Sequence, residues 1–442
     1  MMEAIPRRTV LRRGALGAAG LGLAASGLRA RADGAARPRV VVGLIGAGGM
    51  GSGHLKLLAA RPDVEVACVS DVDAERLASA AAIVEKGSGK APAAERDLRR
   101  LLDDRRIEAV WIATPDHWHA PAAILALDAG KHVYVEKPCC HNIREGRLMA
   151  DAVARSGKHL QVGTQSRSTA VVKDAIDRVR GGAIGEVLVA KAWNSQLRGS
   201  IGKTEPSEPP SNLDYDLWLG PAPAVPYRSN LLPGVWRWWR DFGCGDMGND
   251  GVHDIDVACW GLGVETHPSR IACLGGKSFF DDDQQFPDTQ YAVFEYPDAA
   301  GPGEAKRLIF EQRIWSPYVQ EGYENGAAFY GTEGMLVIGH TVGWTLYGRK
   351  NQKLAERTGP ADVSAHHDDF LACVRGESKA PNADIAVGHR SAALVHLANI
   401  AARVGRVLDF DPMAEAIRGD DEAAAMVSRS YREGHWAAPR TA

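Results

Sequence analysis

RVVVGLIGAGGMG, residues 39–51, is the stretch whose reading decides the fold. Val40 to Ile45 make an apolar, β-branched run of the kind a parallel sheet buries on both faces. Gly46, Gly48 and Gly51 then satisfy GxGxxG. Gly46 permits a tight turn, Gly48 with Gly49 and Met50 lets backbone approach a pyrophosphate, and Gly51 lets the next helix pack closely on the strand. That helix, predicted over Ser52–Ala60, aims free N–H groups and its positive dipole end at the phosphates. A second apolar run, Val64–Val69, closes a βαβ unit and leads to Asp71, about 20 residues beyond Gly51, where the motif places a ribose-binding acid. The reading is dinucleotide binding. Asp71 favours NAD, because a carboxylate repels a 2′-phosphate, while Arg76 nearby keeps NADP open.

The chain of 442 residues, 45% hydrophobic and 24% charged, is long enough for two domains with separate cores. Its net charge of −3 and lack of a basic stripe give no indication of nucleic-acid binding. Seven scattered cysteines without a CxxC pair read as buried thiols rather than a zinc site. At the N-terminus, PRRTVLRR (6–13), a small-residue apolar stretch (14–28) and Ala30-Arg31-Ala32 read as a twin-arginine export signal with a cleavage site. The expectation is a chain exported to the periplasm by the twin-arginine machinery, with residues 1–32 excluded from the fold.

Helices are predicted over Ala74–Lys86 and Ala93–Leu102, then a strand over Ala109–Thr114 stopped by TPDHWHAP. A helix (Pro121–Ala129), a strand (His132–Val135), a helix (Arg144–Ser156) and a strand (His159–Gly163) complete a doubly wound α/β unit over residues 33–163. Loops such as TPDHWHAP lie at the carboxyl ends of parallel strands, where such sheets bind ligands. Residues 164–442 change character: strand-like runs at Val187–Trp193, Ile271–Leu274, Tyr291–Tyr296, Arg307–Trp315 and Met335–Ile338 alternate with turns, the pattern of an α+β domain with a large, mainly antiparallel sheet. Helices return over Asp362–Arg375, Val387–Val404 and Asp421–Tyr431. Residues 202–233 form a long proline-rich loop. Trp236, Trp238, Trp239 and Phe242, just after it, either stack on sugar faces or pack on the sheet.

Two further motifs carry chemistry: EKP at 136–138, ending a predicted strand, and GDMGNDGVHDIDVACWGLG at 245–263, which contains GxHxxD as Gly251, His253 and Asp256. With the glycine turn, they make the chain resemble the Gfo/Idh/MocA oxidoreductases over nearly all of its mature length. The resemblance implies a Rossmann domain followed by an open-faced sheet domain, a nicotinamide cofactor, a carbohydrate or cyclitol substrate, and a homo-oligomer formed through the open sheet. It places the catalytic lysine at Lys137, where burial beside a cationic ring lowers an ammonium pKa toward a proton shuttle's range; the alternative is a surface lysine paired with Glu136. The catalytic histidine falls on His253, predicted at a helix start with Asn249 and Asp250 on the same face. Many relatives have aspartate where this chain has Asn249, which leaves Asp250 as the nearest carboxylate. Asp256 either orients His253 or caps local backbone. Thr114 and Pro115 match the family's cofactor-lining turn, with Asp116 and His117 near the nicotinamide ribose. Glu136, Lys137 and Gln165 fall at cofactor-facing positions, and Arg167 is placed to meet substrate. Two groupings, His253 with Asp250 and Asp246, and His117 with His119, are the metal alternatives to a hydride mechanism that needs no metal. His366 and His367 open a helix and cap or pack it.

An exported enzyme meets little free NAD, so the expected cofactor is loaded before export and kept. The expected function is hydride transfer on a sugar, cyclitol or glycoside with tightly bound NAD(P). The alternatives are an NAD-dependent glycoside hydrolase working by oxidation, elimination and re-reduction, and a non-catalytic sugar-binding protein.

Overall fold

Strand β1 (Val40–Ile45) lies at the centre of a six-stranded parallel sheet, with Val42 and Leu44 fully buried. The sheet contains β2 (Val64–Ser70), β3 (Ala93–Glu95), β4 (Ala109–Ile112), β5 (His132–Val135) and β6 (Leu160–Val162) in the order β3-β2-β1-β4-β5-β6. This is the doubly wound order whose switch point, between β1 and β4, opens a crevice at the strands' carboxyl ends. This computed structural model describes residues 39–297, 305–316 and 318–439. The export signal expected over residues 1–32 lies outside them, and from Arg39 the chain forms one unit.

Helices α1 (Gly49–Ala59), α2 (Ala74–Ser88), α3 (Leu98–Asp103), α4 (Asp116–Asp128) and α5 (Ile143–Ser156) alternate with these strands. The helix predicted over Ala93–Leu102 is corrected: Ala93–Glu95 pairs with Cys68–Ser70 at the sheet edge, and Asp97 caps a new helix by accepting from the Arg99 N–H. Edge pairing and the cap outweigh alanine's helix preference.

After α6 (Ala170–Arg180), β7 (Val187–Asn194) enters a sheet of ten strands. Before the other strands come α7 (Tyr215–Leu219) and α8 (Val252–Leu262). The strands that follow are β8 (Arg270–Gly276), β9 (Thr289–Glu295), β10 (Arg307–Arg313), β11 (Asn325–Gly331), β12 (Met335–Gly339), β13 (Gly343–Tyr347) and β14 (Lys353–Thr358). Then α9 (Val363–Val374) and α10 (Ile385–Val404) lead to β15 (Leu408–Asp411), β16 (Ala416–Arg418) and α11 (Asp421–Ala425). Only the β7–β10 pairing is parallel. Alternation shows one face covered: Ala292 and Phe294 of β9 are buried in the core shared with α8 and α10, while Tyr291 and Val293 are exposed on the other face. Among the described residues no helix is long and apolar enough to cross a membrane.

The long loop is built rather than loose. Trp218, Leu219, Ala222, Leu231 and Phe242 form a small core of their own, against which Val72 and Leu213 pack. Asn212 O accepts from the Ala74 N–H at 2.9 Å, Val72 O accepts from the Asp214 N–H at 3.0 Å, and the Asn212 side chain donates to Asp73 at 2.8 Å. The segment is thereby strapped to the β2–α2 turn. The helix expected over Asp421–Tyr431 stops at Ala425, because Arg429 and Tyr431 both reach Glu145, a fully buried carboxylate on α5.

Candidate active site

The glycine turn has the required backbone. Gly46 has a φ of +89°, and a Cβ there would lie 2.7 Å from the Ala113 backbone; at Gly51 it would lie 2.0 Å from the Gly46 carbonyl oxygen. At Gly49 nothing lies within 4 Å. Helix α1 starts there, and no side chain caps its free N–H groups. Asp71 accepts from the Ala47 N–H at 2.7 Å and the Asp73 N–H at 2.9 Å, so it braces the turn as it faces the cleft. Its burial raises its pKa, against the pull of those two donors. Arg76 reaches over Gly48. A cradle open at Gly49, helix N–H groups that no side chain caps and a carboxylate at the second strand end fit a dinucleotide.

The cradle opens into a cleft of about 1380 Å³. Gly46, Gly48, Gly49, Met50, Asp71, Thr114, Pro115, Asp116, Glu136, Lys137, Gln165, Asn249, Asp250 and His253 all line it. Gly51 serves the turn from behind. The structure places His117 outside the cleft: its Nε2 faces the Trp218 carbonyl at 3.0 Å, and burial pushes its pKa down to about 3. The nitrogens of His119 face the carbonyls of Pro138 (2.7 Å) and Thr114 (2.9 Å), so this histidine ties the β4 turn to the EKP segment. The two rings therefore do not meet as a metal pair.

Lys137 follows β5, with a cis bond to Pro138, and its Nζ donates to the Asn249 carbonyl at 2.6 Å. Desolvation lowers its pKa, while Glu136 and Asp116 pull the other way. Glu136 does not pair with the Lys137 ammonium. Its carboxylate meets His54 Nε2 at 3.0 Å and accepts from Gln165 at 3.3 Å; although burial opposes ionisation, His54 holds it below the usual carboxylate value.

Residues Met247–Gly251 form a π-turn ahead of α8, so the regular helical spacing expected from Asn249 and Asp250 to His253 is broken, though all three still reach the cleft. Asn249 accepts from Arg237 Nε at 2.8 Å and donates to Asp246 at 3.0 Å and to Asp250 at 3.3 Å. An aspartate there would set a third carboxylate against those two; the amide satisfies them. Arg198 pairs with both Asp246 and Asp250. This ion pairing, beside the Lys137 ammonium, accounts for the acidic residues without a metal.

His253 is 7% exposed, with Nδ1 buried and unpartnered. Burial, then the Lys137 charge, push its pKa well below the ordinary imidazole value. Asp256 neither orients it nor caps backbone: it accepts two bonds from Arg167, at 2.7 and 3.0 Å, and one from Ser391 at 2.7 Å. Arg167, expected to meet substrate, is thereby held outside the cleft. His366 and His367 pack inside, His366 bonding Ser168 and His367 bonding His54. Of the aromatic cluster, Trp236 and Trp238 line the cleft, while Phe242 packs in the loop's core and Trp239 against it. All seven cysteines are buried and free.

Arg198, Arg237 and His340 also line the cleft and were not singled out from the sequence. Arg237 sits in the run WRWWR (236–240), whose cation among aromatics was a usable signal. Arg198 and His340 have no local motif. Among the described residues, one further cluster gathers metal-type ligands: His267, His389 and Glu415. Arg147 occupies both oxygens of Glu415, so a cation is already present there.

The model of an oxidoreductase family with an NAD-binding Rossmann fold matches residues 40–164, and that of the family's C-terminal alpha/beta domain matches 186–299 and 327–438. The chain is 32% identical over 227 residues to a levoglucosan dehydrogenase of Pseudarthrobacter phenanthrenivorans, covering 50% of this chain and 51% of that protein. It is 33% identical over 213 residues to a glycosyl hydrolase family 109 protein of Saccharopolyspora erythraea, covering 43% of this chain and 46% of that one. The matched stretches thus span about half the length of these curated relatives. A solved levoglucosan dehydrogenase in complex with NADH and levoglucosan shares the fold, with a TM-score of 0.64 at 22% identity over 84% of this chain and 99% of that one.

Proposed function

The chain belongs to the Gfo/Idh/MocA oxidoreductases, and from that premise we propose that it oxidises a hydroxyl of a sugar, cyclitol or glycoside with an NAD(H) it does not release. The observation that carries this is the meeting of Lys137, from the end of β5, and His253, from α8, in the one cleft that also holds the glycine cradle. Gly46 to Gly51, Asp71, Thr114, Pro115, Glu136 and Gln165 hold the cofactor, which supplies a hydride acceptor when bound. Lys137 donates to the substrate oxygen, and its lowered pKa suits it to give up and regain a proton. His253, kept neutral by burial, accepts the hydroxyl proton. Asp71 favours NAD; Arg76 over Gly48 leaves NADP as the second choice.

Retention is supported by the strap. Residues 212–214 are bonded across the β2–α2 turn, and Leu213, Leu217 and Trp218 line the cleft above it. A cofactor enclosed in this way suits export by the twin-arginine route to the periplasm, the expectation for residues 1–32. Exposed Leu274, Tyr291 and Val293 on the open sheet face support pairing with a second copy. The relative of glycosyl hydrolase family 109 favours one second reading, redox-neutral glycoside cleavage with the same residues.

Two measurements test these readings. Mass spectrometry of nucleotide released on denaturing the purified exported protein is expected to find NAD(H); a nucleotide-free protein overturns retention. Incubation with free sugars and with aryl glycosides separates the two reactions. Net NADH without aglycone release supports the dehydrogenase, and aglycone release without net NADH supports the hydrolase.

A further inference from the structure

His253 enters the cleft without a carboxylate partner, yet a histidine that has one stands beside it. His340 follows β12, and its Nδ1 meets Asp254 Oδ1 at 3.1 Å. Asp254 is 2% exposed, is the residue after His253 on α8, and has its other oxygen unpartnered. The rings of His253 and His340 meet edge to face with centroids 5.1 Å apart. His340 is 27% exposed and lines the cleft with Lys137. The next residue, Thr341, has a φ of +55°, a conformation costly for a β-branched side chain that turns the chain sharply where His340 is presented. A carboxylate on Nδ1 fixes the tautomer whose Nε2 is a free base.

We propose that His340, held by Asp254, is the outlet for the proton lost in substrate oxidation. This rests on the dehydrogenase reading above. With NAD bound, its nicotinamide would supply the acceptor for the carbinol hydride, and the O–H electron pair would form the carbonyl and leave the hydroxyl proton to the protein. The hydroxyl proton goes to His253, from there to His340 Nε2, and then to solvent. The titratable groups facing His340 are Asp254 and His253 from α8 and Lys137 from the end of β5. Burial and Lys137 disfavour its charge, but Asp254 outweighs them and raises its pKa above the ordinary imidazole value. His253, pushed the other way, holds the proton less well than His340, the more exposed of the two rings. Asp254 is a positioning residue.

The first test needs no substrate. Imidazole ¹⁵N spectra of the wild-type holoprotein, assigned by difference from His340→Gln, are expected to show an Nδ1-protonated ring titrating above 6.5, and titrating lower in Asp254→Asn. An Nε2-protonated ring, or no change in Asp254→Asn, overturns the proposal. The second test uses turnover. In His340→Gln the low-pH limb of kcat/KM is expected to vanish and the rate to fall about a hundredfold, at unchanged nucleotide content. In Asp254→Asn the limb is expected to move to lower pH. A variant with the wild-type pH profile overturns the proposal while leaving the dehydrogenase reading intact; a wild type that oxidises no sugar or cyclitol, with its His340 titrating as described, sinks that reading instead. Should His340→Gln fail to fold, Asp254→Asn supplies both readouts.

Discussion

Arg167 holds Asp256 through two parallel N–H···O bonds of 2.7 and 3.0 Å, and Asp256 is fully buried. The aspartate of GxHxxD therefore works for the fold, joining α8 to the segment after β6. Removing one member of a buried pair strands the other charge, at a cost of about 3–5 kcal/mol. Asp256→Ala is expected to lose stability on that scale in chemical denaturation while the folded fraction keeps its kcat. A folded variant that has lost turnover would place Asp256 in the chemistry.

Lys137→Ala is expected to lower turnover by about 10²–10⁴. Its ammonium contacts the Asn249 carbonyl and no cradle residue, so nucleotide content measured by absorbance after denaturation is expected to stay at the wild-type level. Full activity in the variant would remove Lys137 from the mechanism.

Asp71 braces the glycine turn through Ala47, and in the proposed complex the same carboxylate meets the cofactor's ribose, where it repels a 2′-phosphate. Asp71→Ser is expected to weaken NAD binding about tenfold, or about 1.4 kcal/mol, and to bring NADP within reach through Arg76. Calorimetric titration of stripped protein with both nucleotides measures this; an unchanged preference would assign discrimination elsewhere.

The strap predicts slow release. Asn212→Ala removes one side-chain hydrogen bond to Asp73, worth about 0.5–1.5 kcal/mol, and is expected to speed nucleotide loss by up to about tenfold. Nucleotide remaining after extended gel filtration reports it, and equal retention would show that the segment does not hold the cofactor.

Away from the cleft, His389 and Glu415 set a pH window. Burial works against the His389 charge, but Cys140 and Glu415 raise its pKa from 6.5 to about 9. A raised folded pKa stabilises fully below 6.5, and that contribution fades as pH rises through about 9. Glu415, partly buried, is held far below its ordinary 4.5 by His267, His389 and Arg147 against the cost of desolvation, so its contribution is present above that value and lost in acid. Thermal melts are expected to fall between pH 6.5 and 9.5 more steeply in wild type than in Glu415→Gln (~2.303RT per unit for one group). Parallel curves would show that the cluster is not coupled to folding.

What could be read from residues alone was whatever local physics settles. Gly46 is required by its positive φ and Gly51 by a Cβ collision with the Gly46 carbonyl one turn back, and Val40–Ile45 announces a strand by its own side chains. EKP follows the strand that delivers it. The glycine- and alanine-rich β11, Asn325–Gly331, has no such signature; it is a strand because it pairs with β7 and β12 on either side. For the same reason only the tertiary structure decided that Asp256 answers Arg167, that residues 212–214 cross to the β2–α2 turn, and that a turn after β12 sets His340 beside His253. Those partners lie tens to hundreds of residues apart in the chain and become neighbours through sheet register and helix packing, which no short window of sequence contains.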